Sequence, residues 1–155
     1  MKTIRSWLLV GKYMECLSRT TLAAANVGAI LQLAAPVLQT GYPCKYIPVV
    51  DGDPLPGNYL KIGVKFIREQ KAAGKVVLVA CMVGKSRSVT FALAALHEEE
   101  GLPLLEAYRS LYQHHDYALP HRELWNSLCV HYDEHVPYQR VLEIASLTDT
   151  RLIGE

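Results

Sequence analysis

Three features of this 155-residue chain predict an α/β fold, with a small, mostly parallel central sheet of four to five strands flanked by helices and an all-helical C-terminal half. Residues 76–80 form an unbroken apolar run, the pattern of a central strand buried on both faces. Shorter strand-like runs alternate with helical patterns before it. After it, about 65 residues carry only helical periodicity.

Residues 4–10 read as the first strand, closed by Gly11, and residues 14–25 as a short helix. Asn26, Val27 and Gly28 read as a turn into a second strand at 29–33. A third strand is expected at 44–50, where Pro48 marks a strand end or an edge. Residues 51–58 hold Asp51, Asp53, Asn58, two prolines and two glycines, the composition of an exposed loop. Residues 59–73 read as an amphipathic helix, with Leu60, Val64 and Ile67 on one stripe, Tyr59, Gly63 and Phe66 beside it, and Lys61, Lys65, Arg68, Glu69 and Lys71 facing out. Gly74 stops it.

Residues 88–100 form the next predicted helix, closed by Gly101. Pro103 starts another, carrying Leu104, Leu105, Tyr108, Leu111 and Tyr112. A polar stretch, 113–119, separates it from a helix opened by Pro120 with Leu124, Leu128, Cys129 and Tyr132 on its stripe. Pro137 opens a last short helix. With no repeat or linker, residues 1–148 read as one domain and 149–155 as a flexible tail.

Composition narrows the function. A formal net charge of +1 gives no pull toward nucleic acid. The apolar stretch 22–38 is interrupted by Asn26, Gln32 and Pro36 and is too short for a membrane span. The apolar run after the basic N-terminal residues, Trp7 to Val10, is too short for a signal peptide. Cys16, Cys44, Cys81 and Cys129 lie far apart, with no C-x-x-C pair, so neither a structural zinc site nor a disulfide framework is suggested, no motif calls for a cofactor, and free thiols fit a cytoplasmic setting.

The chemistry concentrates where the apolar run ends. Cys81 is followed by Met82, Val83, Gly84, Lys85, Ser86, Arg87 and Ser88, and then by an alanine-rich helix. A helix N-terminus and inward-facing amides favour the thiolate over the thiol. Gly84 lets the backbone curl around an anion, and the N–H groups of residues 82 to 87 can bind phosphate oxygens. Arg87 offers a two-pronged clamp that a lysine would not. Ser86 and Ser88 are each placed to donate a hydroxyl, Ser88 to the sulfur as it leaves. The predicted reaction has two steps: Cys81 takes the phosphoryl group, and water releases it. A leaving oxygen needs a proton, for which Asp51 is the candidate with Asp53 in reserve.

Cys81-x5-Arg87-Ser88 closely resembles the signature of the cysteine-dependent protein tyrosine phosphatases, and the wider match resembles their dual-specificity branch. The supporting segments are Leu8-Leu9-Val10-Gly11, Ala29-Ile30-Leu31-Gln32-Leu33, and Tyr46-Ile47-Pro48-Val49-Val50-Asp51, with thirty residues from Asp51 to Cys81. Resemblance covers about residues 4–135. It implies the cysteine-phosphatase fold, a shallow cleft, no metal, and hydrolysis of phosphotyrosine and of phosphoserine or phosphothreonine in a protein or peptide partner by a monomer. Relatives usually carry histidine, which holds the loop, where this chain has Ala80. A proline-asparagine pair gives way here to Leu119-Pro120-His121-Arg122. Lys85 matches a lysine of phosphoinositide-type relatives, but the companion lysine is Met82 here, so a phosphoinositide or small phospho-ester ranks second. A catalytically weak phosphate-binding module is the alternative from another class, and a sulfurtransferase ranks last because of the Ser-Arg-Ser ending.

Plainer readings cover the remaining signals. Gly84-Lys85-Ser86 resembles the end of a nucleotide-binding loop, but the required first glycine is Val79. His131 and His135 lack a third ligand and read as exposed, and His114-His115-Asp116 reads as solvated. Cys16, Cys44 and Cys129 read as small buried hydrophobes. A disulfide between Cys44 and an oxidised Cys81 is the one redox option considered.

Overall fold

The structure, a computed structural model, describes residues 1–148; the tail expected at 149–155 lies outside the described residues. Its elements are β1 (Lys2–Arg5), β2 (Leu8–Lys12), α1 (Tyr13–Cys16), α2 (Arg19–Ala24), β3 (Val27–Gln32), β4 (Cys44–Tyr46), α3 (Gly57–Ala72), β5 (Val76–Cys81), α4 (Arg87–Glu100), α5 (Leu104–Tyr112), α6 (Arg122–Tyr132) and α7 (Tyr138–Thr148). The sheet order is β1-β2-β5-β3-β4. Only β1 and β2 run antiparallel; β2, β5, β3 and β4 pair in parallel.

The apolar run at 76–80 is the central strand, as its sequence requires. Side-chain alternation sends Val77, Val79 and Cys81 into the larger core, with residues of α3 to α7. Leu78 and Ala80 enter a smaller core on the other face with Leu9, Cys16, Leu22 and Ile30. Both faces are covered, as a parallel sheet demands.

Four predicted elements differ. Val27 and Gly28, read as part of a turn, already belong to β3, which ends at Gln32 rather than residue 33. Residues 4–10 are not one strand but a hairpin, turning at Ser6-Trp7 and pairing Arg5 with Leu8. No Gly or Asn marks this turn, so its sequence lacks the usual hairpin signal. Gly11 does not end β2; it lies inside it, where a Cβ would stand 2.9 Å from the Leu78 side chain. The helix expected at 14–25 is two, because Ser18 breaks it and caps α2 by accepting the Thr21 N–H at 3.2 Å. The third strand stops at Tyr46 rather than Val50. Pro48 has no N–H to continue the ladder, yet Ile47 and Val49 still donate to Gln32 and Leu33 carbonyls.

Helix α3 buries Leu60, Gly63, Val64 and Ile67, as the stripe predicts. Lys71 does not simply face out: it is half-buried, lies over the Trp7 ring at 4.8 Å and bonds Glu99 at 2.7 Å. Lys71 and then Arg68 hold the Glu99 carboxyl below the usual carboxylate range. The helix meets α4 at Gly63, where an added Cβ would sit 2.4 Å from the ring of buried Phe91. Helix propensity alone favours alanine there by about 1 kcal/mol. The contact is too short to be relieved without moving a packed ring, so the steric term wins. Gly63→Ala is expected to lower stability by about 1–3 kcal/mol in urea unfolding; an unchanged or raised midpoint would show that the Phe91 ring yields freely.

Candidate active site

Strand β5 delivers Cys81 to the edge of the larger core at 1 % exposure, and five residues carry the chain into the first turn of α4. The loop closes tightly because residue 84 has no side chain. Gly84 adopts φ +73°, and a Cβ there would stand 2.9 Å from the Gly11 carbonyl oxygen on β2. The Gly84 N–H points at the Cys81 sulfur at 3.3 Å. Ser88, buried in the first turn of α4, places its hydroxyl 3.2 Å from the same sulfur. Among the described residues, the amides of Met82, Val83, Lys85, Ser86 and Arg87 donate to no protein atom. The loop is therefore a ring of free donors beside a sulfur at a helix N-terminus.

Ser86 behaves differently from expectation. Its hydroxyl is not free for a ligand: it donates to Asp51 Oδ1 at 2.7 Å and accepts the His121 N–H at 2.8 Å. Thr90 closes the turn below it, its N–H and hydroxyl both donating to the Ser86 carbonyl at 2.9 Å. Arg87 is half-buried, and one Nη1–H bonds the Val49 carbonyl at 3.1 Å. Ser86 and Arg87 thus tie the loop to the segment after β4 at two separate points, Asp51 and Val49. The Asp53 carboxyl makes no hydrogen bond or ion pair with the loop among the described residues; it lines a hollow with Pro48, Pro56 and Tyr59. Met82, Val83 and Lys85 form an exposed rim.

Ala80 is fully buried in the smaller core, on the sheet face opposite Cys81. An imidazole reaches the loop from elsewhere. His115 is not solvated: it is 1 % exposed, and its Nε2 lies 2.6 Å from the Gly84 carbonyl. Burial, against the Gly84 bond, holds its pKa below the usual histidine value. Nearby, the Leu119 N–H donates to the Lys85 carbonyl at 2.9 Å. A His-His-Asp run looks polar in one dimension; only the Ala118-Leu119 pair after it hinted that the segment turns inward.

The other cysteines stand apart from this chemistry. Cys16 is buried and its thiol is pushed up to about 12 by burial, against a Gln32 hydrogen bond. Cys129 is also buried, but Cys44 is half-buried on the edge strand, against expectation. Cys44 pairs with Ile30, which pairs with Leu78, three residues short of Cys81. Two strand spacings are about 10 Å, beyond disulfide reach, so the Cys44–Cys81 option fails. Among the described residues no cluster of His, Cys, Asp or Glu is arranged to hold a metal ion, and no helix is long and apolar enough to cross a membrane.

Comparison with known proteins agrees with this geometry. Residues 8–134 match the family model described as the catalytic domain of dual specificity phosphatases. A curated relative, dual specificity protein phosphatase 1 of Arabidopsis thaliana, is 36 % identical over 108 residues, covering 67 % of this chain and 54 % of its own length. The chain thus spans about half of that relative. Among solved structures, human DUSP28 superposes with a TM-score of 0.79 at 21 % identity, covering 86 % of this chain and 96 % of its own. The human tyrosine phosphatase-like serine/threonine/tyrosine-interacting protein gives 0.78 at 19 %, with 86 % and 95 % covered; at such identities these two speak for the fold alone. A family match over most of the chain, on the loop and strands just described, makes this protein a member of the dual specificity phosphatase catalytic-domain family.

Proposed function

We propose that the chain hydrolyses phosphotyrosine, and phosphoserine or phosphothreonine, in proteins through a cysteinyl-phosphate, acting as a cytoplasmic monomer. The supporting observation is the convergence on one sulfur of the Gly84 N–H and the Ser88 hydroxyl, with Arg87 and Asp51 tied to the same loop. In the first step Cys81 Sγ attacks phosphorus while the P–O bond to the substrate breaks, and Asp51 gives its proton to the departing oxygen. In the second, water attacks phosphorus, Asp51 takes its proton, and the S–P bond breaks as the Ser88 hydroxyl steadies the returning thiolate.

Arg87 has five N–H donors, and one bond to Val49 leaves others for two phosphate oxygens. The amides of residues 82 to 87 share the remaining charge. The exposed Met82–Val83 rim suits a shallow cleft, open to short and long phosphorylated side chains. Lys85, exposed and without a carboxylate partner among the described residues, supports the second reading, a phosphoinositide or small phospho-ester.

Hydrolysis of a chromogenic aryl phosphate, without metal, tests the mechanism. Cys81→Ser is expected to reduce turnover to background, and Asp51→Asn to lower kcat by about 10²–10⁴-fold. Activity that survives Cys81→Ser rejects the cysteinyl route; phosphate binding without turnover in the wild type favours a binding module. Phosphopeptide and phosphoinositide panels then rank substrates.

Ser86 generates a separate expectation. Ser86→Ala releases Asp51 and leaves the His121 N–H without its acceptor. A misplaced acid costs about 10- to 100-fold in kcat, and the loss should be larger for phenyl phosphate than for p-nitrophenyl phosphate, whose leaving group needs less protonation. Equal losses for the two would mean that Ser86 does not act through Asp51.

A further inference from the structure

We infer that His115 is a positioning residue for the loop: its Nε2–H fixes the Gly84–Lys85 peptide so that the Lys85 N–H faces the bound phosphate. The inference rests on the phosphatase reading above and adds a residue to it.

A carbonyl oxygen can only accept, so at 2.6 Å from Gly84 O the His115 Nε2 must carry the proton. The ring is then the neutral Nε2–H tautomer. Its Nδ1 is buried and has no partner among the described residues. A second proton there would be a buried charge near Lys2 and the N-terminal ammonium; the Gly84 bond and Asp116 favour it, but burial outweighs them. Tyr117 packs edge-on against the ring with centroids 4.2 Å apart, and the Lys2 ammonium lies over Tyr117. The imidazole is thus held in one orientation by packing as well as by its bond.

What that bond does follows from peptide geometry. In a planar trans peptide the C=O and the next N–H point in opposite directions, and no peptide bond among the described residues is cis. Drawing Gly84 O toward His115 therefore turns the Lys85 N–H away from the ring. The Leu119 N–H does the same one peptide later, drawing Lys85 O outward and turning the Ser86 N–H inward. Neither amide has a protein acceptor among the described residues. Within one short segment, residues 115 and 119 set two successive donors of the cradle. The Leu119 donor is main chain, whereas the His115 donor is a side chain that a substitution can remove.

The test compares wild type, His115→Phe, His115→Ala and His115→Gln in aryl-phosphate hydrolysis, inorganic-phosphate inhibition, thermal unfolding and ¹H–¹⁵N spectra. Phenylalanine keeps ring volume without a donor, and glutamine restores a donor at similar reach. Removing the donor is expected to lower kcat/KM about 10- to 100-fold, to weaken phosphate inhibition by at least about 5-fold, and to abolish the shift of the Lys85 amide on phosphate addition. His115→Gln should recover most of all three. If His115→Ala fails to fold, the Phe and Gln pair decides the matter. Folded donor-free variants with wild-type kinetics and phosphate affinity, whatever their melting temperature, overturn the inference and leave the phosphatase reading intact. An imidazole ¹⁵N spectrum showing the proton on Nδ1 overturns it as well. A wild type that neither turns over substrate nor binds phosphate removes the phosphatase reading first, and the inference with it.

Discussion

Everything at the site depends on the backbone contact between residues 84 and 11. The loop after β5 folds back until Gly84 lies against the Gly11 carbonyl, with no room for a single carbon on Gly84 and with φ in the left-handed region. Only that close approach brings the Gly84 N–H to the sulfur and its carbonyl to His115. Gly11 must be small for a different reason, because a Cβ there would run into the Leu78, Glu15 and Met1 side chains. A glycine on β2 and one in the loop therefore set the height of the loop above the sheet. A side chain on Gly84 would be penalised twice, by sterics and by conformation.

Around that contact the polar groups are linked, not scattered. Ser86 joins the loop to Asp51 and to the residue before α6. Arg87 joins the start of α4 to the segment that follows β4. His115 and Leu119 join the loop to the connection between α5 and α6. Each hydrogen bond contributes only about 0.5–1.5 kcal/mol net. Their value lies in geometry: two chain segments far apart in sequence, 49–51 and 115–121, are registered against one loop, which itself rests on the buried end of β5.

Much of this was legible in one dimension because it depends on local patterns. A doubly buried strand, a glycine-bearing loop and an alanine-rich helix are adjacent in sequence, so Cys81, Gly84, Arg87 and Ser88 could be read together. Asp51 could be read because its segment is rich in loop formers, and the structure brings it, and not Asp53, to Ser86. The hairpin at Ser6-Trp7 was hidden because neither turn residue is one that turns require. The inward role of His115 was hidden for another reason: its partner lies 31 residues away, and polarity alone does not tell a solvated histidine from one buried with its donor satisfied. The engagement of the Ser86 hydroxyl was hidden on the same ground, since its two partners lie 35 residues away on either side.

The sheet's margins carry a consequence of their own. Strand β4 is three residues long, presents exposed Lys45 and Tyr46, and is flanked by Pro43 and Pro48, neither of which has an N–H to offer. At the opposite margin β1 is four residues long, with Lys2 and Arg5 at its ends and Arg5 tied to Glu100. Short, charged and proline-bounded borders give a stray strand little to pair with. The hairpin and the truncated third strand thus act as guards against edge-to-edge self-association of a sheet whose interior is almost wholly aliphatic.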